Sequence, residues 1–472
     1  MLFHEVTIHM FWQTIKERFR MNEEQKQFYK MTAALTLPIA LQNLMDTAVS
    51  GADVLMLNFV SEAAISAASL AGQVQFVLNM LFYGLSSGTA VLCAQYWGRG
   101  DKRTIEKIMG ISLRISICVS LLFALAAGFV PDLIMKIFTD DEEIIALGAK
   151  YLRAVAPGYV FSGFATMYLC VMRTVERVVV SAAVHSTAVF VNIVLNACFI
   201  FGWGPFPSLG IAGVAIATTV TRALEVLYCL FDAAVICRVV RFRVKDLFAR
   251  RKVLMRDFIR YSVPATGNDM VWGLAFSMYS VILGHLSSDI VAANSITTVV
   301  RSLGSVVCFG VASSGGIILG KAMGDNQLDK AALYAKRLLG LSIGTAVAGG
   351  ALVLAIRPFL LSWMDLTDTV QGYLSVMLLI TSYYIMGQSV NTMVVCGIFR
   401  SGGDVRFGLK MDIVAMWVYA VPIGFLAAFL FKLPPLWVYF ILCLDEFVKM
   451  PVIIHHYKKK KWLCNITRAE TD

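Results

Sequence analysis

The sequence predicts an all-α integral membrane protein of twelve transmembrane helices, arranged as two pseudo-symmetric six-helix lobes. Three observations carry that prediction. The 472 residues are 58% hydrophobic and only 15% charged, where soluble domains carry about 25% charge. Twelve apolar segments reach the roughly 20 residues that a helix needs to cross the hydrocarbon layer. Three landmarks then recur in order. Pro38 is answered by Pro264, Gly98-Arg99-Gly100-Asp101 by Ala322-Met323-Gly324-Asp325, and Met172-Arg173 by Phe399-Arg400, at offsets of 226, 224 and 227.

The spans follow from apolar runs separated by charged loops. The first lies near 33–60 and ends before Glu62. The second, 66–96, leads into Arg99, Lys102, Arg103 and Lys107. The third, 106–130, is followed by Asp132 and the acidic run Asp140 to Glu143. The fourth, 149–172, ends on Arg173 and Arg177, and the fifth and sixth occupy 179–202 and 211–236. A dense basic run from Arg238 through Arg260 opens the second half. Its spans lie near 259–286, 291–320, 332–356, 372–398, 408–431 and 435–455. Their loops carry Asp289, then Lys321, Lys330, Lys336 and Arg337, then Asp365 and Asp368, then Arg400, Arg406 and Lys410. Lys458 to Lys461 close the series.

Loop charge thus alternates, and basic loops stay on the cytoplasmic side. Both termini and the central basic loop are expected there, in a multi-pass protein of the inner (plasma) membrane. The expected division is a cytoplasmic segment 1–30, a first lobe 31–237, an interlobe linker 238–256, a second lobe 257–456 and a basic tail 457–472. Six spans per half is an even number, so both halves enter from one side and are related by an axis along the membrane normal.

Composition also excludes. The net charge of +10 lies in short runs between apolar segments, so nucleic acid is not an expected partner. Ten cysteines without a Cys-x-x-Cys pair read as small buried hydrophobes. No metal-ligand cluster and no Walker loop is visible, which argues against an enzyme or an ATP-driven pump. The first thirty residues lack the apolar core of a removable leader. Asn465-Ile466-Thr467 matches a glycosylation acceptor but falls on the cytoplasmic side.

Polar residues inside the spans are the candidates for function, because burying them in hydrocarbon is costly. Asn43, Asp46, Ser50 and Asp53 follow one another at spacings of three, four and three, so they share one helix face. That stripe reads as the wall of a cation pathway. Asn192 and Asn196 share a face of the fifth span; an amide there can meet a protonated carboxyl, lend its carbonyl to Na⁺, or tie helices together. Asp269 and Trp272 of the seventh span pair a charge with an aromatic face, which suits a cationic compound. Gln388 and Asn391 are uncharged candidates for substrate contact in the tenth. Asp445, Glu446 and Lys449 read as a local ion-pair group, as do Arg222 and Glu225.

At these landmarks the chain resembles the multidrug and toxic compound extrusion (MATE) family, in the superfamily of the lipid-linked oligosaccharide flippases. Pro38 followed fifteen residues later by Asp53 is similar to the family's first-span pattern with its membrane-embedded acid. Gln95 with the following Gly-Arg-Gly-Asp resembles its second inner-loop motif. Asn192 to Gly202, then Leu209-Gly210 through Gly213 to Thr218, resemble its signature in spans five and six. Arg400-Ser-Gly-Gly-Asp404, with Met416-Trp417 and Pro422, fits the second half. The chain departs from some relatives in having Asn196 where they have an acid, and Gln388, Ser389 and Asn391 where an acid is expected in the tenth span.

The resemblance implies two six-helix lobes forming a V around a central cavity. It also implies export of amphiphilic, often cationic compounds driven by inward flow of H⁺ or Na⁺. On that reading Asp53, Asp46, Asn192 and Asn196 couple the cation, and Asp53 is the seat of H⁺ or Na⁺. Asn43, Asp269, Trp272, Gln388 and Asn391 line the substrate path. No cofactor beyond the coupling ion is implied, and a monomer in the bilayer is expected to suffice. The alternative is a flippase for a lipid-linked precursor, whose cavity should be strongly basic.

Overall fold

The computed structural model describes residues 23–57, 61–203, 207–364 and 366–468; for residues 46–57 and 62 it gives the helical backbone alone. Among those residues there are helices and no strands. Twelve long helical stretches follow one another: α1 Glu23–Leu57, α2 Glu62–Arg99, α3 Lys102–Phe129, α4 Glu142–Thr174, α5 Val178–Phe201 and α6 Ile211–Ile236 in the first half. In the second half they are α7 Lys252–Gly284, α8 Ser288–Gly324, α9 Leu328–Trp363, α10 Asp368–Phe399, α11 Val405–Leu430 and α12, which is broken into Pro435–Leu442 and Asp445–Lys458.

Most helices outrun the apolar segments read from the sequence, because caps rather than hydropathy end them. Ser61 accepts from the Ala64 amide at 3.1 Å, Asp101 from Thr104 at 3.0 Å and Asp141 from Glu143 at 2.9 Å. Each satisfies an amide that the first helical turn leaves unpaired. Gly100 closes α2 with φ of 79°, a left-handed turn that glycine adopts without a Cβ clash. Among the described residues nine helices are long and apolar enough to cross a membrane. α1, α7 and α12 are not among them. α7 and α12 carry charged side chains along their length, and some of these pair with other elements: Asp257 with Arg468, Asp269 with Arg400 and Lys449 with Asp412.

The two halves meet through α1 and α2 on one side and α7 and α8 on the other, and three of their close contacts occur twice. Gly88 lies against Ser262, while Thr36 bonds Ser314 at 2.7 Å. Gly84 lies against Thr266, while Gly310 lies against Thr36 and Ala40. Gly98 rests on the backbone of Lys321, while Gly324 rests on the backbone of Gln95. In each case the second pair is the first carried forward and back by the 226 residues that separate Pro38 from Pro264. Such reciprocity requires a pseudo-two-fold axis between the halves. Small residues bring the backbones together, as they do wherever membrane helices cross closely.

The cores are exchanged across that axis. Phe28, Leu35 and Ile39 of α1 pack with Ile318, Leu338 and Phe399 of the second half. Conversely, Leu254, Phe258, Tyr261 and Ala265 of α7 join the core built on Tyr96, Ile108 and Tyr168 of the first. The linker is also tied down. Its short helix Val244–Phe248 places Asp246 against Arg103 at 2.6 Å and Arg251 at 2.9 Å.

Beyond α12 the chain turns back across the junction. Trp462 is fully buried there. Gln95 of α2 donates to the carbonyls of Ser401 and Cys464 at 2.8 and 3.1 Å, and accepts from the Ile466 amide at 2.8 Å. Asn465 donates to the Gly324 carbonyl at 3.4 Å, and Arg468 reaches Asp257 of α7 at 2.7 Å. One short segment thus touches α2, α7, α8 and the turn after α10.

Candidate functional site

Polar residues gather in three places. In the first half the side chains of Asp46 and Asp53 lie outside the described residues; their helix, α1, packs along α5. Asn43 is half-buried on α1. Asn192 and Asn196 are buried on α5, and Asn196 Nδ2 donates to Asn192 Oδ1 at 3.2 Å. Below them Arg222 pairs with Glu225 at 2.8 Å, and His185 approaches the same carboxylate at 3.7 Å. The local pair read from the sequence is present, with a histidine added from α5.

The second half holds a buried network that crosses four of its helices and reaches α2 of the first half. Arg400, at the end of α10, donates to Asp269 at 2.6 Å and Asn268 at 2.6 Å on α7, and to Ser87 on α2 at 3.1 Å. Asn268 in turn donates to Asp412 of α11 at 2.5 Å. Lys449 of α12 pairs with Asp412 at 2.9 Å and Glu446 at 3.1 Å. Asn391 donates to Glu446 Oε2 at 2.7 Å, and Tyr279 donates to Asp445 at 3.3 Å. A π-helical turn over Met393–Phe399 precedes Arg400, and such turns re-aim side chains at functional sites.

Charge in this network does not balance. Asp269, Asp412, Asp445 and Glu446 face two bonded cations, Arg400 and Lys449. Several buried acceptors also lack a partner, among them Asp445 Oδ1, Gln388 Oε1 and Asn391 Oδ1. Unpaired charge in low dielectric costs several kcal/mol or about that order. A proton or a small cation would relieve both deficits, and amide and carboxylate oxygens are the donors Na⁺ prefers. Among the described residues no group of three or more His, Cys, Asp or Glu side chains is arranged to hold a metal ion.

The third feature is a cavity of about 270 Å³ between the halves. Phe76 and Met80 of α2 form one wall; Trp272 and Phe276 of α7, Arg301 of α8 and Tyr384 of α10 form the other. Trp272 and Phe276 meet edge to face, with ring centroids 4.5 Å apart. Asp269, paired with Trp272 in the sequence reading, is absent from this lining; its carboxylate turns to Arg400. Gln388 and Asn391 are likewise buried outside it. The charged side chain that joins Trp272 is Arg301, of opposite sign. Arg301 and Asp412 escaped the sequence reading, although a single charge inside an apolar run is itself a signal.

With this geometry in view, comparison with known proteins decides the family. The MatE family model matches residues 38–198 and 270–426, one match in each half. The chain belongs to the MatE family. MatE relatives align along nearly its whole length. An uncharacterized transporter, YisQ of Bacillus subtilis, is 22% identical over 91% of this chain and 94% of its own. The probable multidrug resistance protein NorM of Rhizobium meliloti is 26% identical over 86% and 87%. Among solved structures, an outward-facing multidrug resistance MATE transporter of the MOP superfamily superposes with a TM-score of 0.83 at 18% identity, covering 92% of this chain and 96% of that one. A MOP superfamily transporter from Pyrococcus furiosus gives 0.82 at 18%, covering 91% and 95%. The all-helical, twelve-span V-shaped MATE architecture expected from the sequence is the architecture of this MatE chain, a multi-pass membrane protein.

Proposed function

We propose that this protein is a secondary antiporter that expels amphiphilic compounds in exchange for H⁺ or Na⁺. One observation carries the coupling: the second half buries more carboxylate than it neutralises. Counting Arg301 across the cavity still leaves one acid in excess of the cations. That acid must hold a proton or a cation when the protein faces a source of either. Asp445, with an oxygen lacking any partner, is the residue best suited to exchange it. The relatives named for multidrug resistance support efflux as the direction of transport.

The cycle follows from charge. A loaded network is neutral and tolerates burial; an unloaded one favours the conformation that readmits water. Rocking about the doubled glycine contacts switches the side from which water enters. Each charge carried inward across 100 mV supplies about 2.3 kcal/mol. Asp53 and Asp46, with Asn43, Asn192 and Asn196 beside them, would be a second seat for the coupling ion and the source of any preference for cationic compounds. A flippase for a lipid-linked precursor calls for several cations, and Arg301 is the one charged side chain among the described residues of the cavity wall.

The test is uptake of a fluorescent amphiphile by proteoliposomes under an imposed pH or Na⁺ gradient. Asp445→Asn should abolish acceleration by the gradient while leaving binding intact, and Asp53→Asn should reduce it. Undiminished gradient-driven transport in both variants would sink the coupling scheme.

A further inference from the structure

We propose that the cavity between the halves is an oxyanion-binding cargo site, with Arg301 as the recognition residue. It takes an amphiphile with an apolar or aromatic body and a carboxylate or phosphate at one end. Arg301 lies thirteen residues into α8, about 20 Å from the start of that helix at 1.5 Å per residue, and so at membrane depth. A guanidinium there is costly unless something binds it.

Its surroundings hold it without satisfying it. The guanidinium carbon lies 4.5 Å from the Phe276 ring centre and 5.8 Å from that of Tyr384. Those ring faces fix its position by cation–π attraction. They accept none of its N–H donors in line. Among the described residues the Arg301 guanidinium makes no hydrogen bond and no ion pair, although four acids are buried in the same half. It is half-buried, on the wall of a space large enough for a small amphiphile. The planar fork of donors matches a carboxylate or phosphate edge. Trp272, Phe76 and Met80 offer the adaptable apolar surface opposite. A purely structural arginine spends its donors on neighbouring acceptors, as Arg400 does on the Ser87 hydroxyl, the Asn268 amide oxygen and the Asp269 carboxylate.

This rests on the efflux reading only in taking the cavity as a place for cargo, and its test needs no gradient. The probes are a dansyl undecanoate, its methyl ester, and a dansyl amphiphile of the same tail ending in trimethylammonium. Binding is measured by fluorescence polarisation to the full chain in phosphatidylcholine nanodiscs. A charge-assisted contact corresponds to about tenfold or more in affinity. The acid should therefore bind the unaltered protein about tenfold more tightly than its ester. Arg301→Gln should erase that preference and leave the ester unchanged, and Arg301→Lys should restore part of it. Adding phosphatidylglycerol separates the sources: competition with the acid assigns the site to a lipid headgroup, and no competition assigns it to free cargo. Equal binding of acid and ester to the unaltered protein overturns the proposal, whether or not Arg301→Gln folds. So does an Arg301→Gln protein that keeps the preference. Failure of gradient-driven transport with the acid preference intact would overturn the antiport scheme alone.

Discussion

Lys449 is buried between Asp412 and Glu446, and no second cation among the described residues reaches either acid. Replacing it with methionine strands two carboxylates in low dielectric. Breaking such a group typically costs about 3–5 kcal/mol. Lys449→Met should therefore lower the melting temperature markedly, and adding Asp412→Asn should recover part of the loss. A single variant as stable as the parent would show that water already solvates this network. Asp445→Asn should behave differently. Among the described residues no cation is bonded to Asp445, so its neutral form should hold stability within about 1 kcal/mol while changing the coupling. At this scale the sequence was only partly legible. Glu446 and Lys449 stand three apart on one helix and could be paired by spacing. Asp412 and Arg301 could not, because their partners sit on other helices more than twenty residues away.

The helices were the most legible part of the chain. Length and apolarity place nine of the spans among the described residues, and loop charge separates them. What hydropathy misses is where a helix begins, since Ser61, Asp101 and Asp141 cap the first turns of α2, α3 and α4 by hydrogen bonding. It also misses the linker. The basic run 238–256 reads as a charged loop, yet Asp246 is clamped in it by Arg103 and Arg251. Burial pushes the Asp246 carboxyl up, but those two hydrogen bonds outweigh it and hold the group below its usual range. A lowered carboxylate contributes stability above its ordinary value near pH 3.9, and loses it as pH falls through the lowered one. The protein should thus tolerate mild acid down to about pH 4 and lose the clamp below it. Asp246→Asn should remove that acid-dependent step from a thermal-melt series; a series with the step unchanged would place its origin elsewhere. Gly324 offers a second test between elements. A Cβ there meets the backbone of Gln95, which cannot move aside. Gly324→Val should block the close approach of α2 and α8, cutting transport at least about tenfold. Transport at the parent rate would mean that this contact is not formed during the cycle.

For the whole molecule the decisive feature is the axis. The offset of 226 between Pro38 and Pro264 was visible in the residues; the reciprocal contacts it imposes were not, because they depend on which faces meet. The returning tail breaks this symmetry. It belongs to the second half alone, yet binds α2, α7 and α8 together at the end where Gly98 and Gly324 touch. Removing residues 462–468 should loosen that end. Labels at Lys102 and Lys330, both exposed near the junction, should then report a longer and broader distance distribution by pulsed electron resonance. An unaltered distribution would show that the glycine contacts hold the end closed without help.

The exchanged cores bear on how such a chain is made. Phe28 and Leu35 leave the ribosome early but find their packing only when Ile318 and Phe399 have been synthesised. The amino-terminal portion cannot mature as an independent unit, and its completed form waits on the last helices. Two fragments severed within 238–256 and produced together should rescue each other, whereas either one produced alone should be degraded.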